Sequence, residues 1–395
     1  MKEKLQNKKK MQKGMIFEVF QTQKGEQMDN NTNTFSVKTL LILAGSYVSF
    51  GIGAGFATGA ELLQFWAPHG SNAIFGLIIS AALILLCIAV VSRDCRKYKL
   101  VNMEMMYKHY CGKYIGAAIQ WFNTLTFFLM VGSMIAGGAS SLNQAFGLPI
   151  FAGTVIMLAA VLATALMGMK RLTDILGNIA PIIIISVIII CIFSYMNGTV
   201  DFSAGDQLIR EKSGLSMSGS LIFSAVLNFT YVVLNMSAYS ANVSTRADHQ
   251  KELVWGNVLG QFITVLSQTF IFIAFILNAT LVAGTDIPLL MLAQRLGTIF
   301  YAFYGIIVVL ATYTTATGMA WVAASNIQHE DSKWYKPVVA AVCIGAFIFS
   351  NFGSFGVLMN LVMKMVSYLG VAFSICVIVS KIYRAVKEPK ETSDK

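Results

Sequence analysis

The chain repeatedly runs for more than twenty residues without a charged side chain. That pattern limits what it can fold into more than any other feature. About twenty apolar residues in a helix cross the hydrocarbon core of a bilayer. With 56% hydrophobic and 12% charged residues over 395 positions, the sequence reads as an all-α polytopic membrane protein. Ten spans are expected, near 37–67, 71–92, 115–146, 149–169, 174–197, 216–245, 253–283, 297–325, 336–352 and 355–381. Turn residues separate several of them, as in Pro68-His69-Gly70, Gly147-Leu148-Pro149 and Asn351-Phe352-Gly353-Ser354.

Charge asymmetry tests that map. With the amino terminus inside, 25 of the 29 Lys and Arg fall on the inner tails and loops. Only Arg210, Lys212 and Arg295 lie outside, and Lys364 lies within a span. This bias predicts ten spans with both termini cytoplasmic. Residues 1–36 read as a basic, disordered cytoplasmic tail that meets anionic lipid, and 382–395 as a second cytoplasmic tail. No apolar h-region follows Lys13, so no secretory signal is read there. The +10 net charge belongs to one membrane face, so no nucleic-acid partner is expected. Segment 94–114 suits either an amphipathic helix on the inner surface or a solvated loop.

Six cysteines (Cys87, Cys95, Cys111, Cys191, Cys343, Cys376) and four scattered histidines show no metal-ligand spacing. No nucleophile–base pair or phosphate loop is readable either. The sequence therefore predicts no enzyme and no cofactor beyond a possible Na+.

Within the first span lies Gly51-Ile52-Gly53-Ala54-Gly55-Phe56-Ala57-Thr58-Gly59, followed by Glu61. These residues hold a helix poorly. Two readings fit: close helix packing, or a helix break of the kind that lines a transporter's binding site. Ten spans divide into two five-helix repeats, 37–197 and 216–381, joined by an extracellular loop at 198–215. Inverted repeats then predict a matching break in span 6, where Asn235-Met236-Ser237-Ala238-Tyr239-Ser240-Ala241-Asn242 interrupts the apolar pattern. Interhelical hydrogen bonding by those side chains is the other reading.

A break at Gly53 and Gly55 turns amides toward an anion such as a carboxylate. It also frees carbonyls near Ser49 and Ile52 for a cation. On span 8, Ala311, Thr314 and Thr315 share one helix face and form a hard-oxygen set that suits Na+. Back-bonding of those threonines to their own helix is the simpler alternative. Glu61 and Lys364 stand at comparable depth, where lone charges are costly. Their pairing would serve as an outer gate, a proton-coupled pair or a structural bridge. Asn123, Thr126 and Ser133 on span 3, with Tyr231, Asn235, Ser237 and Tyr239 on span 6, are candidates for shaping a pocket or for ordinary core packing.

The string Ile52-Gly53-Ala54-Gly55-Phe56 resembles the unwound span-1 motif of the amino acid–polyamine–organocation (APC) superfamily. Its extension through Glu61 to Phe65 resembles the YkvI-type bacterial membrane proteins. The resemblance covers residues 37–381. It implies the LeuT-type fold of five plus five inverted repeats, with helices 1 and 6 discontinuous, in a bacterial cytoplasmic membrane. It further implies alternating access, and Na+ held by Ser49, Ile52, Ala311, Thr314 and Thr315. Gly53, Ala54, Gly55, Tyr231, Asn235 and Ser237 are the expected contacts of an amino acid or similar small solute. Coupling to Na+ or H+ stays open. The alternative function is a transporter-like receptor or regulatory subunit that binds a ligand without moving it. Substrate, direction and oligomeric state are not legible.

Overall fold

The computed structural model describes residues 35–51, 53–167, 169–328 and 332–387, without the side chains of 169–181. The expected disordered tail through residue 34, Ile52, and the C-terminal tail from 388 lie outside the described residues. Every regular element among the described residues is helical. Span 1 is divided into α1 (Val37–Gly51), α2 (Ala54–Thr58) and α3 (Ala60–Trp66). After a 3-10 turn come α4 (Ala73–Lys97), α5 (Met103–Phe146), α6 (Ile150–Ala165) and α7 (Met169–Met196). A loop helix, α8 (Phe202–Glu211), precedes α9 (Leu221–Val243) and α10 (Gln250–Leu277). Two short helices, α11 (Ala279–Val282) and α12 (Pro288–Gln294), lead to α13 (Thr298–Ile327), α14 (Tyr335–Ser350) and α15 (Phe355–Lys387).

Among the described residues, six helical stretches are long and apolar enough to cross a membrane. Four shorter apolar helices, at Val37–Gly51, Ile150–Ala165, Ile182–Met196 and Tyr335–Ser350, accompany them. The packing sorts them into two groups. α10 packs on α1 and α4, and α9 on α4 and α1. Separately, α5, α6, α13 and α14 pack on one another, most extensively α5 on α13. α15 bridges the groups, touching both α5 and α9, while α7 lies against α13 and α10.

Small residues set the tightest approach. A Cβ at Gly256 would stand 2.8 Å from Leu43 Cβ, and one at Gly260 2.8 Å from Tyr47 Cβ. Two glycines four apart thus let α1 and α10 meet backbone to backbone, as small-xxx-small pairs do in membranes. Tyr47 closes this seam by donating its hydroxyl proton to Gln261 Oε1 at 2.8 Å.

The segment at 94–114 is neither one amphipathic helix nor a loop. α4 continues to Lys97, and α5 starts at Met103 after an Asn102 cap that accepts from the Met105 amide. Gly112, at φ 74°, then bends α5. The short arm at 103–111 buries Met106, Tyr107 and Tyr110. Tyr107 and Tyr110 present edge-on rings to Phe373 of α15, at 5.3 and 6.0 Å.

Candidate functional site

The site is built on the divided first span. α1 ends at Gly51, Gly53 is extended at φ −96° and ψ −163°, and α2 begins anew at Ala54. A second division follows at Gly59, whose φ of 76° is left-handed and favours glycine. A Cβ there would also come within 2.6 Å of Phe275 and 3.1 Å of Pro288. The glycine run therefore opens the helix twice, one break more than the sequence reading expected.

The pieces have different neighbours. α2 packs on α13: the Ala54 amide donates to Thr315 Oγ1 at 3.3 Å, and the Tyr304 hydroxyl donates to the Ala57 carbonyl at 2.7 Å. These bonds occupy backbone groups that a broken helix leaves without partners, as the membrane interior demands. α1 instead lies along α10, and its Gly45, Ser49 and Phe50 are exposed.

That divergence bears on the expected cation site. Thr315 meets the break through the Ala54 amide, while Thr314 donates back to the Ala311 carbonyl of its own helix at 3.0 Å. Ser49 lies on α1, along α10, and its residue is exposed. Ile52 lies outside the described residues. Back-bonding also accounts for Thr312 and Thr317, which donate to Val308 and Tyr313.

Span 6 is not broken. α9 runs as one helix over Leu221–Val243, which corrects the expected second discontinuity. The polar run contains no Gly or Pro, and its side chains bond to helix groups already present. Asn235 donates to the Tyr231 carbonyl at 3.1 Å, and Ser240 donates to the Met236 carbonyl at 2.8 Å. Asn257 on α10 then donates to Ser240 at 3.0 Å. Ser237 Oγ is buried without a hydrogen-bond partner among the described residues. α9 still meets the divided span: Met236 packs where a Cβ at Gly51 would stand, and Tyr231 lies 5.9 Å from the Phe65 ring. Tyr239 contacts the Tyr47 and Phe50 rings. On α5, Asn123 donates to the Tyr107 hydroxyl at 3.0 Å, and Thr126 and Ser133 bond to their own helix.

Among the described residues three ion pairs form: Lys108 with Glu104, Arg210 with Asp206, and Lys381 with Asp94. None joins Glu61 to Lys364, which corrects the expected contact. The Gly59 turn sends the Glu61 carboxylate back over Gly55 instead. Span 1 meets span 10 one turn further out, through residues the sequence reading missed. The Gln64 amide donates to the Gly356 carbonyl at 2.9 Å, and Asn360 donates to Gln64 Oε1 at 3.3 Å. The Met217 amide donates to the Gln64 carbonyl at 2.9 Å, adding the preceding loop. Spacing held the clue: Gln64 is three residues after Glu61, and Asn360 four before Lys364, so each shares a helix face with its charge. Above this clasp lies a cavity of about 130 Å³ lined by Gln64, Asp286 and Gly356 among others. Asp286 sits in the loop between α11 and α12. Burial pushes its carboxyl above the usual range, against the opposing pull of the Gly356 amide and the Ser354 hydroxyl.

No family model matches the chain. It is 23% identical, over 341 residues, to the uncharacterized membrane protein YkvI of Bacillus subtilis (strain 168), covering 84% of this chain and 93% of that protein. Its structure resembles that of MhsT in complex with L-phenylalanine, with a TM-score of 0.55 at 13% identity over 88% of this chain and 90% of that one. It also resembles Mhp1 in its inward-facing conformation, with a TM-score of 0.59 at 13% identity over 87% and 77% of the two chains. The resemblance to a YkvI-type membrane protein with the LeuT-type transporter fold therefore stands. The chain is a multi-pass membrane protein.

Proposed function

We propose that the protein is a secondary transporter that carries an amino acid or similar small organic solute by alternating access. One observation carries the reading: the divided first span belongs to both packing groups. Its inner piece α1 rests on α10, while α2 is bonded to α13. Movement of the group holding α1, α4, α9 and α10 against that holding α5, α6, α13 and α14 would open and close the break from each side. The first group takes spans 1 and 2 with 6 and 7, and the second takes 3 and 4 with 8 and 9. That selection supports ten spans as five plus five, and the charge bias supports both termini inside.

The amides at Gly53 and Gly55 stand at the head of a new helical turn and suit a carboxylate, which the Ala54 amide would join by exchanging its bond to Thr315. Tyr231, Asn235 and Ser237 form the facing wall. The solved complex of MhsT with L-phenylalanine favours an amino acid among small solutes. Ala311, Thr314 and Thr315 would hold Na+ together with the carbonyls of Ser49 and Ile52. With the Gln64–Asn360 clasp made between span 1 and span 10, the present state is read as closed on the outer side.

Uptake of radiolabelled amino acids into proteoliposomes, with and without a Na+ gradient, tests this. Gradient-driven accumulation is expected. Ligand binding without flux under Na+ or H+ gradients would refute transport and favour a receptor.

A further inference from the structure

We infer that the basic end of the bundle, where α4, the short arm of α5 and α15 meet, binds the headgroup of an anionic phospholipid. This lipid site goes beyond the transport reading and does not depend on it.

The charge balance at this corner is lopsided. Residues 93–113 and 381–387 carry nine Lys and Arg against two acids, Asp94 and Glu104. Both acids are already engaged. Lys381 Nζ reaches the buried Asp94 at 2.6 Å, and Lys108 pairs with Glu104 one turn before it. Tyr110 takes the other oxygen of Asp94, donating its hydroxyl proton at 2.7 Å. The other seven cations form no ion pair among the described residues.

Two of those cations are held in place without being neutralised. Lys97 Nζ and the Arg384 guanidinium each lie 5.1 Å from the centre of the Tyr98 ring. Arg384 also donates to the His109 carbonyl at 2.8 Å and to the His109 ring Nε2. The His109 ring in turn lies 4.6 Å from Tyr98. Three elements thus fix two cations on one aromatic ring, which attracts them but leaves their charge intact. Like charges gathered in this way repel one another until an anion joins them.

The neighbouring surface selects the anion. α15 turns Ile375, Ile378, Ile382 and Val386 outward, and their spacing of three and four residues makes one exposed apolar stripe. At the basic end of that stripe stands the exposed Tyr383, with Lys387 Nζ 4.7 Å from the centre of its ring. An apolar stripe ending in tyrosine and basic side chains matches acyl chains along the helix and a phosphate at its end. A soluble phosphate has no use for the stripe.

Native mass spectrometry of the full-length protein in detergent, titrated with phosphatidylglycerol or phosphatidylcholine of matched chains, reads the first lipid bound. Phosphatidylglycerol should bind at least about tenfold more tightly. Lys97→Gln combined with Lys387→Gln, both exposed, should cut that preference about tenfold or more, since each surface cation contributes about fivefold. Lys333→Gln combined with Lys336→Gln removes two exposed charges from the segment at the start of α14 and should leave the preference intact.

Equal affinity for the two lipids overturns the inference. So does a loss in the Lys333 and Lys336 control as large as in the corner variant, which would mean diffuse attraction to charge. Displacement of the lipid by millimolar inorganic phosphate would place a soluble anion at the corner and overturn it as well.

Discussion

The carboxylate of Glu61 occupies the space beside Gly55 that a side chain there would need, with Oε2 2.7 Å from the position of an added Cβ. Glycine at 55 thus does more than loosen a helix. It makes room for the one acidic side chain in the described part of the divided span.

Gly55→Ala is expected to push that carboxylate away at little cost in stability. The displaced group is the end of a flexible side chain, and alanine favours helix by about 1 kcal/mol over glycine. Solute binding should fall about tenfold or more, with stability within about 1 kcal/mol of wild type. Calorimetric titration alongside thermal unfolding separates the two. Unchanged binding would show that Gly55 has no bearing on the solute.

Thr315→Val removes the acceptor of the Ala54 amide while preserving shape. A loss of about 1 kcal/mol in stability is expected, together with any Na+-dependent stabilisation. Thr312→Val is the control, because its hydroxyl only bonds back to Val308 and Val309. Melting curves in NaCl and in choline chloride read both variants. Equal Na+ responses in wild type and Thr315→Val would remove Thr315 from a cation site.

Asn360→Leu should release the outer clasp between span 1 and span 10. The Asn360 amide also donates to the Ser216 carbonyl at 3.3 Å, and each lost hydrogen bond of about 1 kcal/mol shifts a two-state equilibrium about fivefold. A cysteine placed at Leu63, with the six native cysteines replaced, reports it. Labelling by a membrane-impermeant maleimide from outside should rise several-fold in the Asn360→Leu background. No change would mean that other contacts close the outer side.

Asp286 predicts a pH dependence. Its folded-state carboxyl titrates above its unfolded value because burial disfavours the charge. The folded state therefore binds the proton more tightly, and stability rises as pH falls through the folded value toward the unfolded one. Asp286→Asn should be more stable than wild type at neutral pH, with the gap closing in acid. Chemical denaturation across pH 4 to 8 checks the sign. A gap that widens in acid would contradict it.

Much of this architecture was legible in the residues. The uncharged runs carry the reading of a multi-pass membrane protein. The glycines at 53 and 55 marked where the first span could part, with close packing as the other reading, while the division at Gly59 came only from the structure. Span 6 misled because Asn235 and Ser240 look like interruptions in a hydropathy pattern, yet in a helix they bond to carbonyls four residues back. Polarity within a helix breaks nothing when the backbone ladder stays intact.

The sequence by itself determined that the chain crosses a membrane and that its first span is a place where a helix could divide, because both follow from local chemistry: hydropathy, charge and the steric freedom of glycine. Tertiary structure alone decided which neighbour each piece took. α1 lies on α10 because Gly256 and Gly260 let their backbones meet, while α2 bonds to Thr315 of α13. Gln64 and Asn360 meet, rather than Glu61 and Lys364, across 296 residues of chain. Pairings at that separation depend on how whole helices pack, and no local pattern encodes them.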